Sequence, residues 1–164
     1  TWRVLHTPGH AGDLICLSDP DSGVLLSSDH VLGRISSNPL LEPPDYPNGP
    51  RPRRLIDYER ELLRVAALKP TIAYPGHDEP VQDVAGLIAE RVEHRKARTE
   101  KLWELFDGQP KTLYELSRLL FPKASEPESL LTLSETIGHL DILELDSRVM
   151  PITRTDGIIE WQPL

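Results

Sequence analysis

The stretch Thr7-Pro8-Gly9-His10-Ala11-Gly12-Asp13 separates two apolar runs, residues 2–6 and 14–17, and decides how the chain is interpreted. Each run has the length and composition of a short β-strand. Because a Pro-Gly pair directly after a strand forms a tight corner, it presents the next residue, His10, at the end of that strand. The stretch therefore predicts a strand end that carries a candidate metal ligand.

Two later stretches repeat this arrangement. The apolar run 24–28 leads directly into Asp29, and the run 71–74 leads through a second Pro-Gly pair to His77. Two histidines and an aspartate suit zinc, and also iron or manganese, and a carboxylate can bridge two cations. The sequence thus offers three candidate metal ligands, each just past a predicted strand: His10, Asp29 and His77.

The composition is that of a globular chain, with 38% hydrophobic and 27% charged residues. No apolar run approaches the ~20 residues that a transmembrane helix needs. The single cysteine, Cys16, excludes an internal disulfide and a cysteine-only zinc site, and its apolar strand predicts a buried structural thiol. The absence of disulfides is compatible with a cytoplasmic location, which we expect. Because the chain opens in a strand without an initiator Met, we also expect it to be a fragment.

The first part of the chain has the order of an α/β domain. Its third predicted strand is followed by a proline-rich segment, residues 35–53, which we expect to be an ordered loop bordering the active cleft. Periodic apolar residues then predict a helix over 57–68, and a strand at 71–74 follows. One long helix, or two in sequence, is predicted over 81–106.

The last part has a different pattern. Thr112 and Glu115 form a capping-box signature for a helix over 112–120. A helical turn at 130–133 and a helix over 134–145, with Ser134 as its N-cap, are expected next. An Asp-Gly pair then joins two strands, 149–153 and 158–161. Short helices followed by a hairpin are typical of a winged-helix module, so the chain is divided into residues 1–98 and 99–164.

The charge of this last part disfavours binding to nucleic acid. From Thr99 to the end the chain has six basic and twelve acidic residues, and the predicted helix over 134–145 contains no Lys or Arg. Affinity for phosphate backbones comes mainly from Lys and Arg, and the whole chain carries a formal net charge of −8. We therefore expect this module to pack against the rest of the protein or to cover substrate.

The motifs around His10, Asp29 and His77 resemble those of the metallo-β-lactamase superfamily, in order, spacing and strand context. The nearest likeness is to glyoxalase-II-like hydrolases that carry a C-terminal winged helix. The resemblance implies an α/β fold: the C-terminal half of an αββα sandwich followed by a small winged-helix module. It also implies that His10 binds the first of two zinc ions, that Asp29 bridges both and has a catalytic part, and that His77 binds the second.

The family's His-x-His-x-Asp-His motif, which supplies the remaining ligands, does not occur in this sequence. We therefore expect this polypeptide to be inactive by itself and its parent protein to be a zinc-dependent hydrolase of a thioester, ester or related bond. Iron or manganese could replace the zinc. The resemblance also makes Arg34 and Asn38, in the proline-rich segment, candidates for contacting substrate.

The remaining histidines receive structural interpretations. His6 is placed within a strand, and His94 and His139 on helix surfaces. His30 is either a residue that orients Asp29 without binding the metal itself, or an ordinary loop residue.

Two other functions stay open. One is a non-enzymatic winged-helix binding module, and the other is a nuclease of the same superfamily. The expected partner is a small-molecule substrate, with no membrane and no nucleic acid. A half-sheet with an uncovered apolar face should also associate with a second copy.

Overall fold

The structure, a computed structural model, describes residues 1–44 and 46–164. The chain forms two compact units. The first contains Thr1–Leu40 and Arg54–His94, and the second contains Leu41–Arg53 and Arg95–Leu164. The predicted domains, 1–98 and 99–164, differ from these units mainly because residues 41–53 belong to the second unit. The division into domains stays a prediction.

The first unit is a four-stranded sheet with helices, and it confirms the mixed α/β class. The strands follow one another across the sheet in the order of the sequence. The first three pair antiparallel, and the fourth pairs parallel with the third. The elements are β1 (Arg3–His6), β2 (Ile15–Asp19), β3 (Val24–Ser28), α1 (Arg54–Ala67), β4 (Ile72–Pro75) and α2 (Val84–Glu104), whose last turns belong to the second unit.

One face of this sheet is buried against α1 and α2. Alternate residues of the strands point to this face, and they pack with the apolar stripes of both helices. Cys16 is fully buried here, as predicted, and burial raises the pKa of its thiol to about 11. The buried residues of this core are Cys16, Leu25, Val31, Tyr58, Leu62, Val65, Ala73, Val81, Val84, Ile88 and Val92.

The opposite face of the sheet carries apolar side chains that are not buried within the unit. Strand register aligns Val4, Leu17, Leu26 and Tyr74 in one row across all four strands. Val4, Leu26 and Tyr74 are exposed, as is Ile15. We call these residues the open sheet face. A contiguous exposed apolar patch of this kind marks a surface that another layer normally covers.

The open sheet face predicts self-association of this chain. A Val4→Thr/Leu26→Thr double variant keeps β-forming residues while it reduces the apolar area. We expect it to shift the molecular mass measured by light scattering towards that of a monomer and to lower binding of a hydrophobic dye. Leu63→Gln, at an exposed position of α1, is the control. A monomeric parent chain at high concentration would contradict the prediction.

The second unit contains the elements of the predicted last part, together with a short strand that the sequence did not predict. Its sheet has the order β5-β7-β6 and is antiparallel. The elements are β5 (Lys111–Thr112), α3 (Leu113–Leu120), a 3₁₀ turn (Glu126–Glu128), α4 (Ser129–Leu145), β6 (Val149–Thr153) and β7 (Ile159–Pro163). Thr112 and Glu115 form the predicted capping box. Among the described residues, no helix is both long and apolar enough to cross a membrane.

The predicted start of the helix over 134–145 is wrong. Helix α4 begins at Ser129, and Ser134 lies inside it. The Ser134 hydroxyl donates to the carbonyl of Leu130 (2.7 Å) and accepts the backbone N–H of Leu41 (3.1 Å). A serine inside a helix can bond to the carbonyl four residues earlier, so a serine before an apolar run does not by itself mark a helix start.

Residues of the proline-rich segment are bound to α4 within the second unit. The Arg51 guanidinium donates two hydrogen bonds to the carboxylate of Asp141 (3.0 and 2.5 Å), which is almost fully buried. Arg53 pairs with Glu144 at 2.7 Å. Burial raises the pKa of Asp141, although Arg51 and Arg53 oppose that rise. A bidentate arginine is the partner that a buried carboxylate needs.

The predicted surface position of His139 is also wrong, because its side chain is buried at 1% exposure. Its Nδ1 lies 2.8 Å from the hydroxyl of Thr99, which donates its own proton to the carbonyl of Arg95. The imidazole must therefore donate from Nδ1. Burial, together with the cations Arg98 and Arg95, lowers the pKa of His139 from 6.5 to about 3.

This buried histidine predicts that the protein loses stability as the pH falls. Between pH 6.5 and about pH 3 the unfolded chain binds a proton at His139 that the folded chain does not. The free energy of unfolding should then decrease towards acid, by up to about 1.4 kcal/mol per pH unit. In urea unfolding at pH 7.5, 6 and 5, His139→Gln should give a shallower dependence, whereas His94→Gln should not. Equal slopes for all three proteins would refute this.

Candidate metal centre

The direction of the strands brings the three predicted ligands to one edge of the first sheet. β1 and β3 are both antiparallel to β2, and β3 is parallel to β4. β1, β3 and β4 therefore run in the same direction, and their carboxyl ends meet at the same edge. His10, Asp29 and His77 follow these three ends, which is where ligands bind in many α/β sheets.

A glycine shapes the loop that carries His10. Gly9 has a φ of +147°, and a Cβ there would lie 2.3 Å from the Cβ of Tyr58 on α1. The Thr7 N–H donates to the carbonyl of Leu14 (2.8 Å) and closes the base of the loop. Glycine is thus needed so that the chain can turn against the helix.

A second glycine makes room for the carboxylate of Asp29. A Cβ on Gly76 would lie 2.7 Å from Asp29 Oδ1. The Gly76 N–H donates to the carbonyl of Ser28 (3.0 Å), so the ends of β3 and β4 are tied together at this point. The glycine of the Pro-Gly pair before His77 therefore leaves space for the Asp29 carboxylate, in addition to forming the turn.

Both histidines approach the same oxygen of Asp29. His10 Nε2 lies 3.8 Å from Asp29 Oδ2, and His77 Nε2 lies 3.5 Å from it. The side chains are 30% exposed at His10, 25% at Asp29 and 70% at His77, so solvent reaches all three. The structure thus brings together the residues that the sequence singled out.

The orientation of His10 suits a metal ligand. Its Nδ1 lies 3.0 Å from the carbonyl oxygen of Asn38, and because a carbonyl can only accept, Nδ1 must carry the proton. In the neutral ring Nε2, which faces Asp29, then has its lone pair available. Metal-binding histidines typically donate their other N–H in this way.

The donor set fits a metal ion in its chemistry, but it is incomplete. Two ligands of a tetrahedral zinc ion with bonds of about 2.0–2.1 Å lie roughly 3.3 Å apart. The distance from His77 to Asp29 (3.5 Å) is close to this spacing, and that from His10 to Asp29 (3.8 Å) is longer. Yet nowhere in residues 1–44 and 46–164 do three or more His, Cys, Asp or Glu side chains form a group that could hold an ion. The residues supply two donor pairs that share Asp29, and their assignment as ligands stays a prediction.

Other predicted residues have different positions. Arg34 is exposed, and its backbone N–H donates to Asp78 Oδ2 (3.3 Å). His30 is fully buried; its ring packs edge-on to Tyr58 at a centroid distance of 5.1 Å, and the Tyr58 hydroxyl donates to its carbonyl (2.8 Å). His6 Nε2 contacts the carbonyl of Gly12 (2.9 Å), and His94 is exposed.

The comparison with known proteins agrees with this geometry. The sequence model of the metallo-β-lactamase superfamily matches residues 1–77. The probable metallo-hydrolase YqjP of Bacillus subtilis is 43% identical over 148 residues, which are 90% of this chain and 46% of that protein. The chain belongs to the metallo-β-lactamase superfamily.

Two further relatives also match this chain over part of their own length. The crystal structure of a metallo-β-lactamase family protein from Thermus thermophilus matches with a TM-score of 0.82 and 34% identity, over 99% of this chain and 49% of that one. Thioesterase pkgB of Emericella nidulans is 30% identical over 105 residues, which are 64% of this chain and 27% of that protein. The chain thus spans about half the length, or less, of these three relatives.

The contact between Gly76 and Asp29 predicts the effect of a single methyl group. Gly76→Ala should displace the Asp29 carboxylate and weaken Zn²⁺ binding by roughly 10-fold or more, the usual scale for changes around a ligand. A competition titration with a chromogenic chelator measures this affinity. Gly33→Ala is the matched control, since a Cβ there makes only ordinary contacts at 3.6 and 3.7 Å. Equal affinities of the two variants would show that Gly76 does not support the site.

Proposed function

We propose that the chain is the C-terminal half of a metal-dependent hydrolase of the metallo-β-lactamase superfamily, acting on a thioester or a related ester bond. The observation that carries this proposal is the convergence of His10 and His77 on one oxygen of Asp29. Zinc is the expected metal, with iron or manganese as alternatives, because imidazole and carboxylate ligands suit all three.

Asp29 would be the ligand shared by two ions, with His10 completing one donor pair and His77 the other. Two such ions supply an activated water and stabilise the oxyanion that develops in the substrate. The residues of this chain hold the shared carboxylate, orient the Nε2 atom of His10 towards it and leave the site open to solvent. These roles agree with the order of ligands that the family resemblance implies.

The three side chains are fewer than two ions require, so we expect this chain to be inactive by itself. The missing ligands would come from the part of the superfamily domain that the chain does not match. The open sheet face supports this, since a sandwich of two sheets would cover it with the second sheet. When that layer is missing, a second copy of the chain is the expected partner.

A small-molecule thioester is the expected substrate class. One relative bears the name thioesterase, and its similarity covers 64% of this chain. For the second unit we propose a winged-helix module, because it has three helical elements and a β-hairpin in that order. Its acidic composition favours a packing or substrate-covering role over nucleic-acid binding.

The proposal predicts that activity needs both halves of the domain. The chain should be fused to the part of B. subtilis YqjP that lies outside the matched region. We expect the fusion to bind about two metal ions in elemental analysis and to hydrolyse a chromogenic thioester, whereas the chain alone does not turn over. Within the fusion, Asp29→Asn should lower the rate by ~100-fold or more, because it removes the shared charge.

His94→Gln is the matched control, since this histidine is exposed on α2. A folded fusion without metal would favour the non-enzymatic binding module instead. A fusion that holds metal and cleaves RNA but no thioester would favour the nuclease.

A further inference from the structure

Three consecutive backbone carbonyls around the predicted shared ligand each accept a hydrogen bond from a side-chain hydroxyl. Ser37 donates to the carbonyl of Asp29, Tyr58 donates to that of His30 (2.8 Å), and Ser27 donates to that of Val31 (3.1 Å). The three donors are buried, with exposures of 4% at Ser37, 2% at Tyr58 and none at Ser27. We call these three residues the hydroxyl set.

The hydroxyl set replaces the hydrogen bonds of regular secondary structure. β3 ends at Ser28, so residues 29–31 lie outside the strand pairing. Buried carbonyls that lack a partner are costly, and three such groups in a row would leave this stretch poorly defined. The side-chain hydroxyls therefore fix the backbone from which the Asp29 carboxylate projects.

The three donors come from different kinds of element. Ser27 lies on β3 and Tyr58 on α1, and both belong to the buried interior of the unit. Ser37 lies in the irregular segment after Asp29, where no helix or strand holds it. Of the three donors, Ser37 is therefore the one whose position depends on the conformation of this irregular segment and not on a helix or strand of the core.

Asn38, the residue after Ser37, contacts the loop that carries His10. The carbonyl of Asn38 accepts the hydrogen bond from Nδ1 of His10 (3.0 Å). Adjacent residues thus bind Asp29 through a side chain and His10 through the backbone, although the two ligands follow different strands. A change at Ser37 that moves this segment would reach both of them.

We propose that Ser37 is a positioning residue that sets the Asp29 backbone and the His10 ring together. The inference rests on the proposed metal-dependent function. Ser37 does not contact the metal or the substrate in this scheme. Its hydroxyl holds Asp29, and the same contact keeps the Asn38 carbonyl in place for His10.

The test compares Ser37→Ala with the parent chain in two independent measurements. The first is Zn²⁺ affinity from competition with a chromogenic chelator, which we expect to fall at least 10-fold. The second is the tautomer of His10 without metal, read from its ¹⁵N shifts at pH 8.5, where an ordinary histidine is neutral. The parent should carry the proton at Nδ1, and Ser37→Ala should show a mixture of both tautomers.

Ser37→Thr keeps a hydroxyl and should restore both properties. Ser129→Ala, which removes a serine hydroxyl in the second unit, is the control and should change neither. If Ser37→Ala does not fold, as judged by circular dichroism, Ser37→Cys provides a nearly isosteric weak donor. It should give intermediate values in both measurements.

The two measurements separate this inference from the proposed function. If the parent binds no Zn²⁺ but Ser37→Ala alters the His10 tautomer, the metal function fails and the positioning role stands. If Ser37→Ala lowers only the thermal stability and leaves tautomer and affinity unchanged, Ser37 is merely structural and the inference is overturned.

Discussion

The shared direction of β1, β3 and β4 is the constraint on which the candidate site depends. β1 and β3 are both antiparallel to β2 and so run in the same direction, and β4 runs in this direction too because it is parallel to β3. Residues far apart in sequence therefore reach the same edge, and His10 and His77 both face Asp29. If any one of these strands ran in the opposite direction, its ligand would lie at the opposite edge of the sheet, and the three side chains could not bind the same metal centre.

Direction alone gives only approximate proximity, and the fine placement comes from contacts that involve the backbone. Gly9 and Gly76 allow a helix and a carboxylate to approach the chain within distances that a Cβ would forbid. The hydroxyl set and the carbonyl of Asn38 then fix the orientation of the ligand loops. A site of this kind depends on groups that contact neither metal nor substrate.

The sequence predicted those features that depend on neighbours along the chain. The strand ends at His10, Asp29 and His77 follow from apolar runs and Pro-Gly corners, and the capping box at Thr112 follows from a spacing of three residues. Ser134 was misassigned because a serine before an apolar run can bond to a carbonyl inside the helix, here that of Leu130, instead of capping it. His139 was misassigned because its partner, Thr99, is distant in sequence. Ser37 carried no local signal either, since serine in a loop has many uses.

The connection between β3 and β4 has a consequence for the order of folding. β1, β2 and β3 are joined by short loops and can pair early, whereas β4 must close a long connection between Ser28 and Ile72. We therefore expect the edge that carries Asp29 to form before His77 reaches it. Pairing of β4 with β3 would therefore complete the histidine–aspartate arrangement. The metal would then bind after the chain has folded and would not direct its folding.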